Sequence, residues 1–171
     1  MKKVVSFVMQ LAVIALAACT APVAIVTLVA HSTELSHPEY VQKLCGLDLS
    51  GCSIVSVEDT HGGFHGDGEL IVIFDCTEAA DCVAAQMADW KAFPMTQPLQ
   101  NFMYGGDRYI GIADRMAIPE VTNGWYFFWD RHSESTDPID ERGLLERHSL
   151  NFTLVLYDAD RLRLYLFELD T

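Results

Sequence analysis

Positive charge is scarce in this chain. Lys and Arg together number 11 against 24 Asp and Glu, a formal net charge of −13. Lys2 and Lys3 account for two of the basic residues, which leaves nine for everything that follows. Nucleic-acid binding rests on Lys and Arg neutralising phosphates, and an anionic lipid surface makes the same demand. The balance argues against both as partners; acidity of this kind serves solubility or meets a cationic partner.

Charge of either sign is missing from Val4 to Ala30, a stretch interrupted only by Ser6, Gln10, Thr20, Thr27 and Pro22. A bilayer needs roughly 20 apolar residues to cross, whereas the apolar region of a cleavable signal is about 7–15 residues. Lysines precede the stretch and none follows until Lys43, so the positive-inside bias places the amino terminus in the cytoplasm. Residues 1–31 are therefore expected to be a single-pass membrane anchor or signal segment, and residues 32–171 one extracytoplasmic domain. Leu16-Ala17-Ala18-Cys19 offers a second route, a bacterial lipoprotein signal in which Cys19 is lipidated. The uncharged residues from Thr20 to Ala30 suit that route less well, because a mature lipoprotein normally begins with a polar tether. Either anchor puts the domain on the outer face of a membrane.

Several catalytic signatures are absent too. The chain has no Gly-x-Ser-x-Gly, no P-loop and no dinucleotide fingerprint, since Gly62, Gly63, Gly66 and Gly68 connect two strands instead of opening a helix. Cys45, Cys52, Cys76 and Cys82 do not have zinc-ribbon spacing. Outside the membrane an even cysteine count permits two disulfides, with buried free thiols as the alternative. If the intervening loop is centred near Phe64, Cys52 and Cys76 lie opposite each other at the base of a hairpin; the chain-local pairs Cys45–Cys52 and Cys76–Cys82 compete.

What is present reads as α+β. Ser36-His37-Pro38-Glu39 is a helix start with a capping box, and Gly46 a stop. Ile54–Val57 and Leu70–Phe74 mark strands joined as a hairpin. Thr77 is positioned to cap a helix that lines Ala79, Val83, Met87 and Trp90 along one face, and Pro98 opens another through Leu99, Phe102 and Met103. Trp125–Trp129 is strongly β-prone, Leu150–Tyr157 alternates, and Leu162, Leu164 and Leu166 alternate again after Asp158-Ala159-Asp160-Arg161. The expectation is an antiparallel sheet of about five strands with two or three helices on one face, preceded by the membrane helix. Packing on both faces of a central strand accounts for the aromatic run; one open face would instead mark a partner surface. Arg131-His132-Ser133-Glu134-Ser135 reads as a solvated loop. Asn151-Phe152-Thr153 matches a glycosylation sequon but falls mid-strand.

The most specific chemistry lies in Asp59-Thr60-His61-Gly62-Gly63-Phe64-His65-Gly66-Asp67-Gly68. Imidazole and carboxylate are ligands for first-row metals, so Asp59, His61, His65 and Asp67 are candidate ligands for a divalent metal. Glycine and aspartate equally build a tight turn, and the helical His-x3-His frame of known zinc sites is missing.

With its anchored amino terminus, that ten-residue stretch, an aromatic run ending in Asp130-Arg131-His132-Ser133-Glu134-Ser135, and a final Asn151-Phe152-Thr153-Leu154, Tyr157-Asp158-Ala159-Asp160 and Glu168-Leu169-Asp170-Thr171, the chain resembles a group of small uncharacterised bacterial proteins. The resemblance spans residues 37–171 and implies an anchored architecture and a bacterial source, with no activity attached. Two functions follow. The first is a non-enzymatic module binding an envelope protein or ligand. The second is a metal-dependent or acid–base enzyme centred on the His61/His65 loop, which requires His61, His65, Asp59 and Asp67, with His132 as a further candidate, to converge in a concave site.

Overall fold

Alternating apolar side chains build the centre of this molecule. The computed structural model describes residues 35–62, 66–106, 111–116 and 118–171. The expected membrane helix, the alternative lipidation candidate Cys19 and the candidate ligand His65 all lie outside the described residues. Strands β1 (Ser53–Asp59), β2 (Gly68–Asp75), β3 (Lys91–Ala92), β4 (Gly124–Asp130), β5 (Asn151–Asp158) and β6 (Arg163–Asp170) form one antiparallel sheet in the order β1-β2-β6-β5-β4-β3. The described helices are α1 (His37–Cys45), α2 (Ala80–Ala85), α3 (Gln97–Tyr104) and α4 (Ile112–Met116). The α+β class and the antiparallel sheet match the sequence expectation, but the sheet has six strands where about five were expected. The addition is β3, whose two residues are too few to show a period.

Helices cover both faces of the sheet, not one. On the first face α1 brings Val41 and α2 brings Val83 against Leu70, Val72, Phe74, Val155, Tyr157, Leu164 and Leu166. On the second, α3 brings Leu99, Phe102 and Met103, and α4 brings Ile112, against Phe152, Leu154, Leu156, Tyr165 and Phe167. Phe102 meets Phe152 edge-on at 5.1 Å between ring centres. The physical reason is visible in β5 and β6: both parities of these strands are apolar, which is the pattern of a strand packed on two sides. Burying such a side chain contributes about 1.5–3 kcal/mol, so leaving either face open would forfeit a large part of the core.

Local chemistry fixes the ends of several elements. Gly46 stops α1 with φ of +76°, a conformation that costs glycine little. Thr77 does not cap a helix with its own side chain; its N–H donates to Asp75 Oδ1 at 3.0 Å and opens a 3-10 turn, Thr77–Ala79, ahead of α2. The helix then ends at Ala85, short of Trp90. A Cβ at Gly124 would lie 1.9 Å from the Tyr157 carbonyl oxygen, so no other residue permits the close approach of β4 to β5 there.

The β1–β2 hairpin differs from the rest. All seven β1 residues are exposed, and Ile54 (45%), Val55 (50%) and Val57 (47%) are among the most exposed large apolar side chains described. A bulge between Ile54 and Ser56 breaks its register with β2. Cys52 and Cys76 form a disulfide across the base of the hairpin, and Cys45 and Cys82 are free thiols. The chain-local pairings and a two-bridge framework are therefore not formed. The reason is local structure: Cys45 sits in the last turn of α1, where its thiol lies 3.2 Å from the Val41 carbonyl, and Cys82 is exposed on α2.

Candidate functional site

Strand register gathers a polar cluster at one end of the first sheet face. Thr153 of β5 lies directly opposite Glu168 of β6, and Trp129 of β4 lies on the other side of Thr153. Directly opposed residues share a face, and so do residues two apart in one strand, which adds Asp170 beside Glu168. Asp170 is in turn opposite Gly68, the first residue of β2. A Cβ at Gly68 would lie 2.4 Å from the Cα of His61 and 2.5 Å from its nitrogen. Only glycine there allows the chain leaving β1 to lie against the sheet and bring His61 over Asp170.

The contacts form a continuous chain. Asp59 Oδ1 accepts a hydrogen bond from the His61 backbone N–H at 2.9 Å and faces His61 Nδ1 at 2.8 Å. His61 Nε2 faces Asp170 Oδ2 at 3.2 Å. Arg131, just past β4, grips Asp170 with both ends of its fork, Nη1 at 2.9 Å from Oδ1 and Nη2 at 3.1 Å from Oδ2. Its Nε donates to Thr153 Oγ1 at 3.0 Å, and Nη2 also reaches the Phe152 carbonyl at 3.2 Å. Thr153 passes the chain on by donating to Glu168 Oε1 at 2.8 Å. Tyr40 of α1 donates its hydroxyl to the same Glu168 oxygen.

Electrostatics follow from these bonds. The carboxyl of Asp59 is held below the usual carboxylate range, first by the backbone N–H of His61 and then by its ring. Burial, reinforced by the bond to Glu168, pushes the Tyr40 hydroxyl up to about 12. Bidentate Arg–carboxylate pairing is the strong, geometrically specific form of ion pair, and the half-buried setting of Arg131 and Asp170 limits solvent screening.

Of the candidates read from sequence, the structure brings together Asp59 and His61. Asp67 is exposed and takes no part in these pairs. His132 turns elsewhere: its Nε2 faces Ser149 Oγ at 3.0 Å and its Nδ1 accepts the Glu134 N–H at 3.2 Å. Arg131 is not a solvated loop residue but the hub of the cluster. Tyr40, Arg131, Thr153, Glu168 and Asp170 were missed, although one signal was there. In β6 the parity occupied by Leu164 and Leu166 changes to Glu168 and Asp170, two acids where the face demands apolar residues.

Chemically the cluster is inward-looking. Among the described residues no group of three His, Cys, Asp or Glu side chains is placed to hold a metal ion. Other buried acids are likewise paired: Asp130 with Arg147 at 2.6 Å, Asp158 with Arg161 at 2.8 Å, and Glu141 with Lys91 at 2.5 Å. Glu141 also accepts from the Tyr126 hydroxyl at 3.2 Å. Each of these pairs ties a loop to the sheet. Compared with known protein families, curated proteins and solved structures, the chain matches none. No described helix is long and apolar enough to cross a membrane.

Proposed function

We propose that this chain is a non-enzymatic binding domain, held on the outer side of a bacterial membrane by its amino-terminal segment. The observation that carries the proposal is the mutual pairing of the candidate site's ionisable groups. An acid–base catalyst presents at least one such group to substrate, whereas His61, Asp170, Arg131 and Glu168 are turned toward one another. A rigid polar cluster of this kind fixes the hairpin to the sheet and so serves recognition by shape. The exposed thiol of Cys82 supplies the experiment for placement. A membrane-impermeant maleimide applied to intact cells should label the wild-type chain and not Cys82→Ser; labelling that requires lysis defeats the outside placement. The half-buried Cys45 thiol, pushed up to about 11 by burial, should stay unreactive over the same interval.

One observation favours a second function, a metal-dependent or acid–base site at the same loop. A carboxylate on the Nδ1 side of His61 is the arrangement that orients a metal-binding imidazole, leaving Nε2 toward Asp170. Against it, Arg131 already occupies Asp170, and the described donors fall short of a three-ligand set. Calorimetry with zinc, nickel and manganese, on wild type and on His61→Ala, decides: stoichiometric binding lost in the variant would replace the first proposal.

A further inference from the structure

We propose that β1 is a docking edge, which takes an extended segment of a partner protein as a seventh strand. The segment is apolar at alternate positions and basic where it meets Glu58. This rests on the binding-domain proposal above and names the surface and the partner's chemistry.

The first observation is an imbalance. No β1 residue is buried, so the strand adds little to either core. Both of its ends are nevertheless fastened. The Cys52–Cys76 disulfide closes one end, next to the Ser53–Asp75 pair. At the other, Asp59 and Asp170 hold His61, and Thr60 donates to the Glu69 carbonyl at 2.9 Å. Order in an edge that adds little to either core is explained by use of the edge, because a preformed strand spares an incoming segment the ordering cost on one side.

The second observation is the hydrogen-bonding direction. Hydrogen-bonded and non-bonded pairs alternate along an antiparallel ladder. Since Thr60 faces β2, Glu58 does also, and the N–H and C=O groups of Val57 and Asp59 point away from the sheet. Ile54 and Val57 share the face of Phe74 and Val72, forming an apolar ledge beside the outward backbone groups. Peptides that add to sheet edges use this combination, backbone bonds for affinity and alternate side chains for specificity.

The third observation selects the occupant. The opposite edge, β3, is two residues long and carries Lys91, two devices that deter strand addition. β1 has neither lysine nor proline, and its charges are Glu58 and Asp59. A second copy of a chain with net charge −13 would bring like charge to this edge, and the bulge at Ile54–Ser56 interrupts the flat pairing that self-assembly needs. A basic segment meets complementary charge instead.

The test uses the full-length chain and fluorescent ten-residue peptides of alternating valine and threonine, ending in two lysines or two glutamates. The lysine peptide should bind saturably. Val57→Pro removes an outward N–H without costing a bond to β2, and should lower affinity by at least about tenfold. Glu58→Lys should weaken the lysine peptide about two- to fivefold and strengthen the glutamate peptide, as an exposed ion pair does. Unchanged binding by Val57→Pro, or no binding of either peptide to wild type, overturns the proposal. A wild-type dimer that Val57→Pro converts to monomer also overturns it, giving the edge to a second copy. Capture of one envelope component by wild type and Val57→Pro alike would sink the edge while sparing the binding-domain function; capture by neither would sink both.

Discussion

Reducing the Cys52–Cys76 disulfide should cost the domain about 3.5 kcal/mol. The bond closes a loop with a sequence separation of 24. In the chain-entropy treatment a loop of that size loses about 12 cal/mol/K in the unfolded ensemble, or about 3.5 kcal/mol at 25 °C. The folded unit from His37 to Thr171 is about 135 residues. At about 2.1 cal/mol/K of unfolding entropy per residue, that loss lowers Tm by about 12 °C. Thermal unfolding of the full chain with and without a phosphine reductant measures it, beside Cys52→Ala/Cys76→Ala. Alanine is the right replacement because Cys76 is fully buried among apolar neighbours, where a serine hydroxyl would need a partner. Amide exchange should rise first in residues 53–56, next to the broken bond, while β5 and β6 stay protected. A fall below about 3 °C, with Cys52 and Cys76 both shown by alkylation to be reduced, would refute the view that this bond secures the edge strand.

Arg131→Met should destabilise by about 2 kcal/mol, because it takes both guanidinium contacts from Asp170 and leaves that carboxylate only His61; the usual cost of breaking a buried pair is scaled down for side chains still 28% and 25% exposed at Arg131 and Asp170. Urea unfolding beside Asp170→Asn and the double variant gives the coupling, and additive effects would show that the pair is not a unit. Gly68→Ala should drive the chain at His61 off the sheet, costing about 1–3 kcal/mol and releasing the His61–Asp170 contact; an unchanged urea midpoint would mean that His61 does not rest on Gly68. The Tyr40 hydroxyl is raised in the folded state to about 12, so its contribution is complete below its ordinary value near 10 and is lost as pH climbs from there through about 12. Stability of wild type should therefore fall more steeply over that interval than stability of Tyr40→Phe, and parallel curves would contradict the Tyr40–Glu168 bond.

Periodicity carried most of the fold. Leu150–Tyr157 and Leu164–Leu166 were legible as strands because alternation is a local property, and the Gly-rich stretch from Gly62 to Gly68 was legible as a hairpin connection for the same reason. Where the sequence expectation failed, the deciding fact was non-local. Helices on both faces follow from the apolar second parity of β5 and β6, whose covering elements lie far from them in the chain. The cluster was harder still. Arg131 and Asp170 are 39 residues apart and meet only because β4, β5 and β6 lie side by side. No spacing rule joins them, whereas Asp59 and His61, two residues apart, could be paired by eye.

The strand order has a kinetic meaning. Among the described strands β6 comes latest in the chain and lies between β2 and β5, so of these it alone joins the β1–β2 hairpin to the β3–β4–β5 half. A polypeptide emerging from the ribosome amino terminus first holds two separate half-sheets, each with an unsatisfied edge, until residues 163–170 arrive. Both cores draw on β6, Leu164 and Leu166 for one and Tyr165 and Phe167 for the other, so neither can close early. Such long-range closure folds slowly and late.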